Sequence, residues 1–276
     1  MPSRSSQSSR SSQSSEVFPS LVSPSAVVRV LRAAGCVFAE EEAELLLASA
    51  RSAHELTSMV DRRAAGLPLE QVLGWAPFHG LRISVGPGVF VPRRRTEFLV
   101  DQALAAAPRA RVVVDLCCGS GALGAALAAA LDGAEVHAAD IDPVAVRCAR
   151  RNLAAFGGRA HQGDLYDALP AGLRGRVDVL AANVPYVPTD EVPLLPAEAR
   201  DHEPLVALDG GPDGLDTLRR VAAGAAGWLA PGGCLLSEIS EHQAAGAVEA
   251  FAEAGLTTRL AVSDELYAHV VTGVRA

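Results

Sequence analysis

The chain has 276 residues, 49% of them hydrophobic and 20% charged, with a formal net charge of −8. These values describe a soluble globular protein with room for one large domain and a small appendage, and the negative charge argues against broad, stable attachment to nucleic acid. No apolar run approaches the roughly 20 residues that span a bilayer, so no membrane association is expected.

In chain order, residues 1–25 form a Ser/Gln/Arg-rich stretch without the apolar core of a secretory signal, and a disordered tail is expected. Residues 26–73 read as a small helical domain. Val27, Val28, Val30 and Leu31 begin an apolar face, Ala43, Leu45, Leu46 and Leu47 continue the pattern, and a weaker third helix fits 53–65. Residues 74–95 read as a β-hairpin linker, because Leu81–Val85 and Val89–Val91 flank a Gly-Pro-Gly break.

From residue 96 onward strands and helices alternate. Helices are expected over Thr96–Ala107, Gly121–Leu131, Pro143–Phe156, Gly214–Leu229 and Gln243–Ala254. Strands are expected over Val112–Leu116, Glu135–Ala139, Ala160–Gly163, Val177–Ala182, Gly233–Ile239 and Thr257–Val262. Tyr267–Val274 follows the last of these by a short loop. That predicts an antiparallel final strand in an otherwise parallel sheet.

Five scattered cysteines form no CxxC pair and no metal spacing, which fits a reducing cytoplasm and no bound metal.

Two motifs carry chemistry. Asp115-Leu116-Cys117-Cys118-Gly119-Ser120-Gly121 runs from an apolar strand into a glycine loop and a helix, where backbone N–H groups can meet a ligand. About 20 residues on, at the end of the next strand, Asp140 suits ribose hydroxyls. Gly119, Gly121 and Gly124 also satisfy the dinucleotide pattern, so a nicotinamide and S-adenosylmethionine both fit. Asp115 and Asp164 favour the second, although loop bracing for Asp115 and helix capping for Asp164 are competing roles.

The other motif is Asn183-Val184-Pro185-Tyr186, at the end of an apolar strand. A side-chain carbonyl, a backbone carbonyl and an aromatic ring there suit a planar NH2 group; an ordinary turn is the bland alternative.

Taken together, D-L-x-x-G-S-G, A-D-I-D-P, G-D-L-Y and N-V-P-Y-V-P resemble the class I S-adenosylmethionine-dependent methyltransferases. More closely they resemble the protein-(glutamine-N5) methyltransferases, which include the release-factor glutamine methyltransferases. Pro68–Gly74, Phe78–Leu81, Val91–Glu97, Glu203–Leu215, Glu238 and Gln243 extend the resemblance.

It implies a Rossmann-like, seven-stranded, mostly parallel sheet with an antiparallel last strand, plus a small helical N-terminal domain for substrate recognition. The implied cofactor is S-adenosylmethionine, held by Asp115, Cys117, Gly119, Gly121, Asp140, Ile141, Asp164, Leu165 and Asn183. The implied acceptor is a glutamine side-chain amide of a peptide chain release factor, methylated at Asn183, Val184, Pro185 and Tyr186 with Arg93 and Glu203 nearby. A monomer in the cytoplasm is expected.

Departures from the family pattern are Cys117 for a glycine, Val184 for a proline, Arg94-Arg95 for Pro-Glu, and a shorter N-terminal helical region. They keep a nucleic-acid base or a small metabolite open as acceptor. For Arg93 an ion pair with Glu97 competes with a ligand role, for Glu203 loop bracing does, and His202 reads as a solvated loop residue.

Overall fold

The computed structural model describes residues 23–276. The tail expected over 1–25 lies outside the described residues up to residue 22, and Pro24 already opens a helix. The chain divides into two compact units, one ending at Ala64 and the other comprising Ala65–Ala276. The helical unit thus closes earlier than the boundary at 73 drawn from the apolar pattern.

The first unit holds α1 (Pro24–Ala33), α2 (Ala39–Ser49) and α3 (Ala53–Ala64). Ser23 caps α1 by accepting from Ala26 N at 3.3 Å, with Pro24 pre-set for the first turn. Val27 and Leu31 of α1, Ala43 and Leu46 of α2, and Leu56 and Val60 of α3 are buried. Their three- and four-residue spacings give each helix one apolar stripe. Arg63 forks onto Glu42 at 2.5 and 3.0 Å, so the buried charges on α2 and α3 satisfy one another.

The second unit opens with α4 (Leu69–Leu73), ended by Gly74 at φ +81°. Strands β1 (Trp75–Phe78) and β2 (Leu81–Ser84) then pair antiparallel about His79 and Gly80, both at positive φ. This two-residue turn matches strand twist. It corrects the expected hairpin: the strands meet across His79-Gly80, and Val89–Val91 forms no strand.

Next come α5 (Glu97–Ala106), β3 (Val112–Leu116), α6 (Ala122–Ala130), β4 (Glu135–Asp140), α7 (Pro143–Leu153), β5 (Arg159–Gln162) and β6 (Val177–Ala182). The unit closes with α8 (Ala197–His202), α9 (Asp216–Ala225), β7 (Leu229–Ile239), α10 (Ala244–Glu253), β8 (Leu256–Ser263) and β9 (Ala268–Arg275).

Seven strands form one sheet in the order β5-β4-β3-β6-β7-β9-β8. Strands β3 through β7 pair parallel, whereas β9 runs antiparallel to both β7 and β8. The α/β class and the antiparallel last strand therefore stand as expected. The β8–β9 turn alone does not reveal that β9 inserts between β7 and β8.

Both sheet faces are covered. Val113, Ala138, Val179 and Leu236 pack under α5, α6 and α7, while Val114, Leu180 and Leu235 pack toward α9 and α10. Burial on both faces explains why β3 and β6 are apolar apart from one aspartate each, Asp115 and Asp178. Strand order reverses between β3 and β6, which opens a crevice at their carboxyl ends.

Candidate active site

A cavity of about 800 Å³ occupies that crevice. The loop after β3, the ends of β4 and β6, residues 88–96, and the long connection from β6 to α9 all contribute to its wall.

On the β3 side, Cys117, Gly119 and Gly121 all adopt positive φ. Gly119 N donates to Asp140 Oδ2 at 2.8 Å, and Asp142 N donates to Asp140 Oδ1 at 2.9 Å. One carboxylate thereby fixes both the glycine loop and the start of α7, where Asp142 in turn caps Val144 N at 2.7 Å. Burial raises the Asp140 pKa against those N–H groups. Ile141, 52% exposed, and Leu165 bring apolar surface to the same wall.

Asp115 and Gly121 do not line the cavity, although both were expected at the cofactor. Asp115 lies fully buried beneath the loop and accepts from Gly124 N at 2.8 Å, which is the bracing role. Burial pushes its carboxyl up to about 8, helped by the Asp140 charge and opposed by the Gly124 N–H. Gly121 has its own reason to lack a side chain, since a Cβ there would stand 2.9 Å from Ala149 Cβ of α7. Close helix packing, rather than ligand approach, demands that glycine.

Cys117 takes a left-handed backbone (φ +53°) that favours glycine. Burial, then the charges of Asp140 and Asp115, push its thiol above the ordinary range, so it remains neutral loop filler. Asp164 lines the cavity and makes no cap bond; its carboxylate pairs with Arg220 of α9 at 2.6 Å.

On the β6 side, Asn183, Val184, Pro185 and Tyr186 all line the cavity. Asn183 Oδ1 is buried without a hydrogen-bond partner. Tyr186 donates to Glu238 Oε1 at 3.1 Å, Arg95 Nε reaches the same oxygen at 2.9 Å, and an Arg95 Nη2 also donates to the Tyr186 hydroxyl. The Arg95 guanidinium sits 5.8 Å from the centre of the Tyr186 ring. Burial, and next the Glu238 charge, raise the Tyr186 pKa, so the phenol stays protonated and is no base.

Arg93 pairs with Glu203 at 2.6 Å, not with Glu97, whose carboxylate accepts from His79 N. Glu203 also accepts from Val91 N at 3.1 Å and is buried. The pair therefore ties the 91–93 segment to the loop after α8, and both residues line the cavity. His202 does not line it.

Sequence reasoning noted Arg95 only as a departure from the family pattern and missed its pairing, and it passed over Arg220 and the bracing role of Gln243. Arg95 and Arg220 had no local signal, because their partners lie 143 and 56 residues away. Gln243 had one: Ser240-Glu241-His242-Gln243 is a capping box, with Ser240 and Gln243 bonded reciprocally at the start of α10.

Residues 80–194 match the model of the methyltransferase small domain. The release factor glutamine methyltransferase of Mycolicibacterium smegmatis is 41% identical over 211 residues, covering 75% of this chain and 74% of that protein. Three further relatives of that name are covered over 66 to 69% of their own length. The 4-amino-L-phenylalanine/4-methylamino-L-phenylalanine methyltransferase of Streptomyces pristinaespiralis is 38% identical over 203 residues, with 71% of this chain and 69% of that protein covered.

Among solved structures, a methyltransferase from Pyrococcus furiosus shares the fold with a TM-score of 0.54, at 18% identity over 71% of this chain and 90% of that chain. The identity to the M. smegmatis protein, over most of both sequences, establishes the relationship: this chain is a methyltransferase and belongs to the release factor glutamine methyltransferase family.

Proposed function

We propose that the protein methylates the side-chain amide nitrogen of a glutamine in a peptide chain release factor, with S-adenosylmethionine as methyl donor. The observation that carries this reading is Asn183 Oδ1, a buried acceptor with no partner in the cavity wall. An unpaired buried acceptor is costly, and a substrate N–H relieves that cost.

The wall also fits the donor. Asp140, at the tip of β4, suits the ribose hydroxyls through its remaining lone pairs. Cys117, Gly119, Ile141, Asp164 and Leu165 would flank the nucleoside, Asn183 would complete the wall, and Asp115 and Gly121 would hold the loop from behind. When bound, S-adenosylmethionine supplies an electrophilic methyl group on a sulfonium.

The chain's own work is orientation. An amide nitrogen is a poor nucleophile because its lone pair is delocalised. Asn183 Oδ1 and the Val184 carbonyl would each accept one N–H, hold the nitrogen in line, and stabilise positive charge growing on it. Substituting valine at position 184 leaves the backbone carbonyl available. Tyr186 would stack on the flat amide and Pro185 stiffens the turn.

No strong base is needed, since the proton can leave after nitrogen is alkylated. Arg93 and Glu203 would hold the strap beside the acceptor. In this reading the N-terminal helices (residues 26–73) recognise the protein substrate, and the enzyme works as a cytoplasmic monomer without stable nucleic-acid binding.

A small aromatic amine is the second acceptor class, favoured by the relative named for 4-amino-L-phenylalanine. Purified protein with labelled S-adenosylmethionine should be offered release factor, DNA, RNA and 4-amino-L-phenylalanine separately. Mass spectrometry should locate the methyl on a glutamine side chain of the release factor. Label entering only nucleic acid or only the amine overturns the glutamine assignment.

A further inference from the structure

The acceptor turn is held by the 210–214 loop and by Gln243, which itself reaches the cavity wall. Val187 O accepts from Gly210 N at 2.9 Å, and Tyr186 O accepts from Gln243 Nε2 at 2.8 Å. Pro185 O lies so near Gly210 that a Cβ there would stand 2.6 Å from it. Among the described residues no donor reaches Val184 O. The three carbonyls that follow the proposed acceptor are therefore crowded against the 210–214 loop or bonded to it and to Gln243, while Val184 O is left for a substrate.

Gln243 joins the three parts of this support. Its Nε2 donates to Tyr186 O and, at 3.1 Å, to Asp213 O, and its Oε1 accepts from Ser240 N at 3.1 Å. Both amide protons and one acceptor site are thus committed to protein. Gly214, at φ +75°, must lack a side chain because a Cβ would collide with Tyr186 O and Gln243 Nε2. The capping box fixes Gln243 at the start of α10. Its amide is therefore an anchored bracket and not a swinging side chain.

We propose that Gln243 is a positioning residue for methyl transfer: it sets the Asn183–Tyr186 turn by holding the Tyr186 carbonyl, and so aims the Val184 carbonyl at the substrate amide. This inference rests on the acceptor-turn reading above. Gln243 makes no substrate contact in it. Its loss acts on kcat and spares cofactor binding.

Gln243→Glu tests this sharply. The variant keeps the shape and the bond from Ser240 N but loses both donors, and its carboxylate faces two carbonyl oxygens. Burial there raises its pKa, and protonation restores one donor. The charged groups around it are Asp213 with Arg219, Glu241 and His242 on the same turn, and Glu238 with Arg95 beyond Tyr186. Wild type and variant share all of them, so the ratio of their rates isolates the new carboxyl.

With purified release factor as acceptor, kcat of Gln243→Glu at pH 8.5 should fall on the order of 30-fold, a loss typical of a slightly misplaced reacting group. Calorimetric binding of S-adenosylmethionine should stay near wild type, whereas Tm should be lowered at pH 8.5 and recover toward pH 6, because a carboxyl whose pKa is raised by burial destabilises the fold when ionised. Relative to wild type, the variant should recover most of its rate by pH 6, and Gln243→Ala should show the loss without the recovery. An unchanged kcat, or a loss equal at both pH values, overturns the proposal.

If wild type itself leaves release factor unmethylated, the functional reading fails and the turn contact is judged separately. The Tyr186 carbonyl ¹³C shift should then move upfield in Gln243→Glu at pH 8.5 and return as the carboxyl protonates. A shift that stays at the wild-type value overturns the positioning role.

Discussion

The two walls of the cavity are built by opposite means. The glycine-loop wall is held from within its own stretch of sequence: Asp115 bonds Gly124 N, and Asp140 bonds Gly119 N and Asp142 N, all inside 28 residues of chain. The acceptor wall is held from far away. Arg95 and Glu238 fix the Tyr186 hydroxyl, and Gly210 and Gln243 fix the carbonyls behind it. A nucleoside is the same molecule for every enzyme that binds it, so a compact local motif suffices. An acceptor site must adapt to its substrate, and distant supports let it change without disturbing the other wall.

The largest effect expected from breaking this contrast lies at the acceptor turn. Asn183→Ala should lower kcat on the order of 10³-fold, as for loss of a transition-state hydrogen-bond partner. Binding of S-adenosylmethionine should change little, because the glycine-loop wall stands on its own contacts. Rates and calorimetric affinities measured together decide it; equal losses in both would mean that the walls are one unit.

Next comes Arg95→Ala, which leaves the Glu238 carboxylate buried with only the Tyr186 hydroxyl as partner. It should cost about 2 kcal/mol, below the range for a fully buried pair because Arg95 is half exposed. The double variant Arg95→Ala/Glu238→Gln should recover roughly half of that in urea denaturation, since the unpaired charge is gone.

Asp115 tests the other wall through its titration. A native carboxyl near 8, against about 3.9 when unfolded, holds its proton more tightly in the folded state. The native state then binds more protons across that window, so this group's contribution falls as pH rises from about 4 to 8. Asp115→Asn keeps an acceptor for Gly124 N and removes the titration. Its Tm should exceed wild type by on the order of 10 °C at pH 8.5, with the gap narrowing toward pH 5. A constant gap would refute the assignment.

The smallest effect expected is Cys117→Gly. Relief of the left-handed backbone is worth about 1 kcal/mol, and the greater freedom of glycine in the unfolded chain offsets much of it. The denaturation midpoint should rise slightly at unchanged slope.

Legibility followed the same division. The strands β3 and β6 were read to the residue because burial on both faces leaves an apolar run bounded by turn residues. The hairpin was misread because Gly86-Pro87-Gly88 outweighed His79-Gly80 as a turn signal, and the positive φ of His79 leaves no mark in composition. Short helix α8 lacked the length for a periodic signal. Asp115 and Gly121 looked like ligand groups because a motif records which residues surround a site. It does not record which of them face it.

By itself, the sequence determined the α/β class, the antiparallel last strand, the glycine loop with its acidic strand end, and the Asn-Val-Pro-Tyr turn. Each is written in residues close together, through period, turn chemistry and spacing. Tertiary structure alone decided the insertion of β9 between β7 and β8, the pairing of Arg95 with Glu238, and the bracket from Gln243 to the acceptor turn. Those depend on which distant segments the sheet order brings together, and no local preference of the chain encodes that choice.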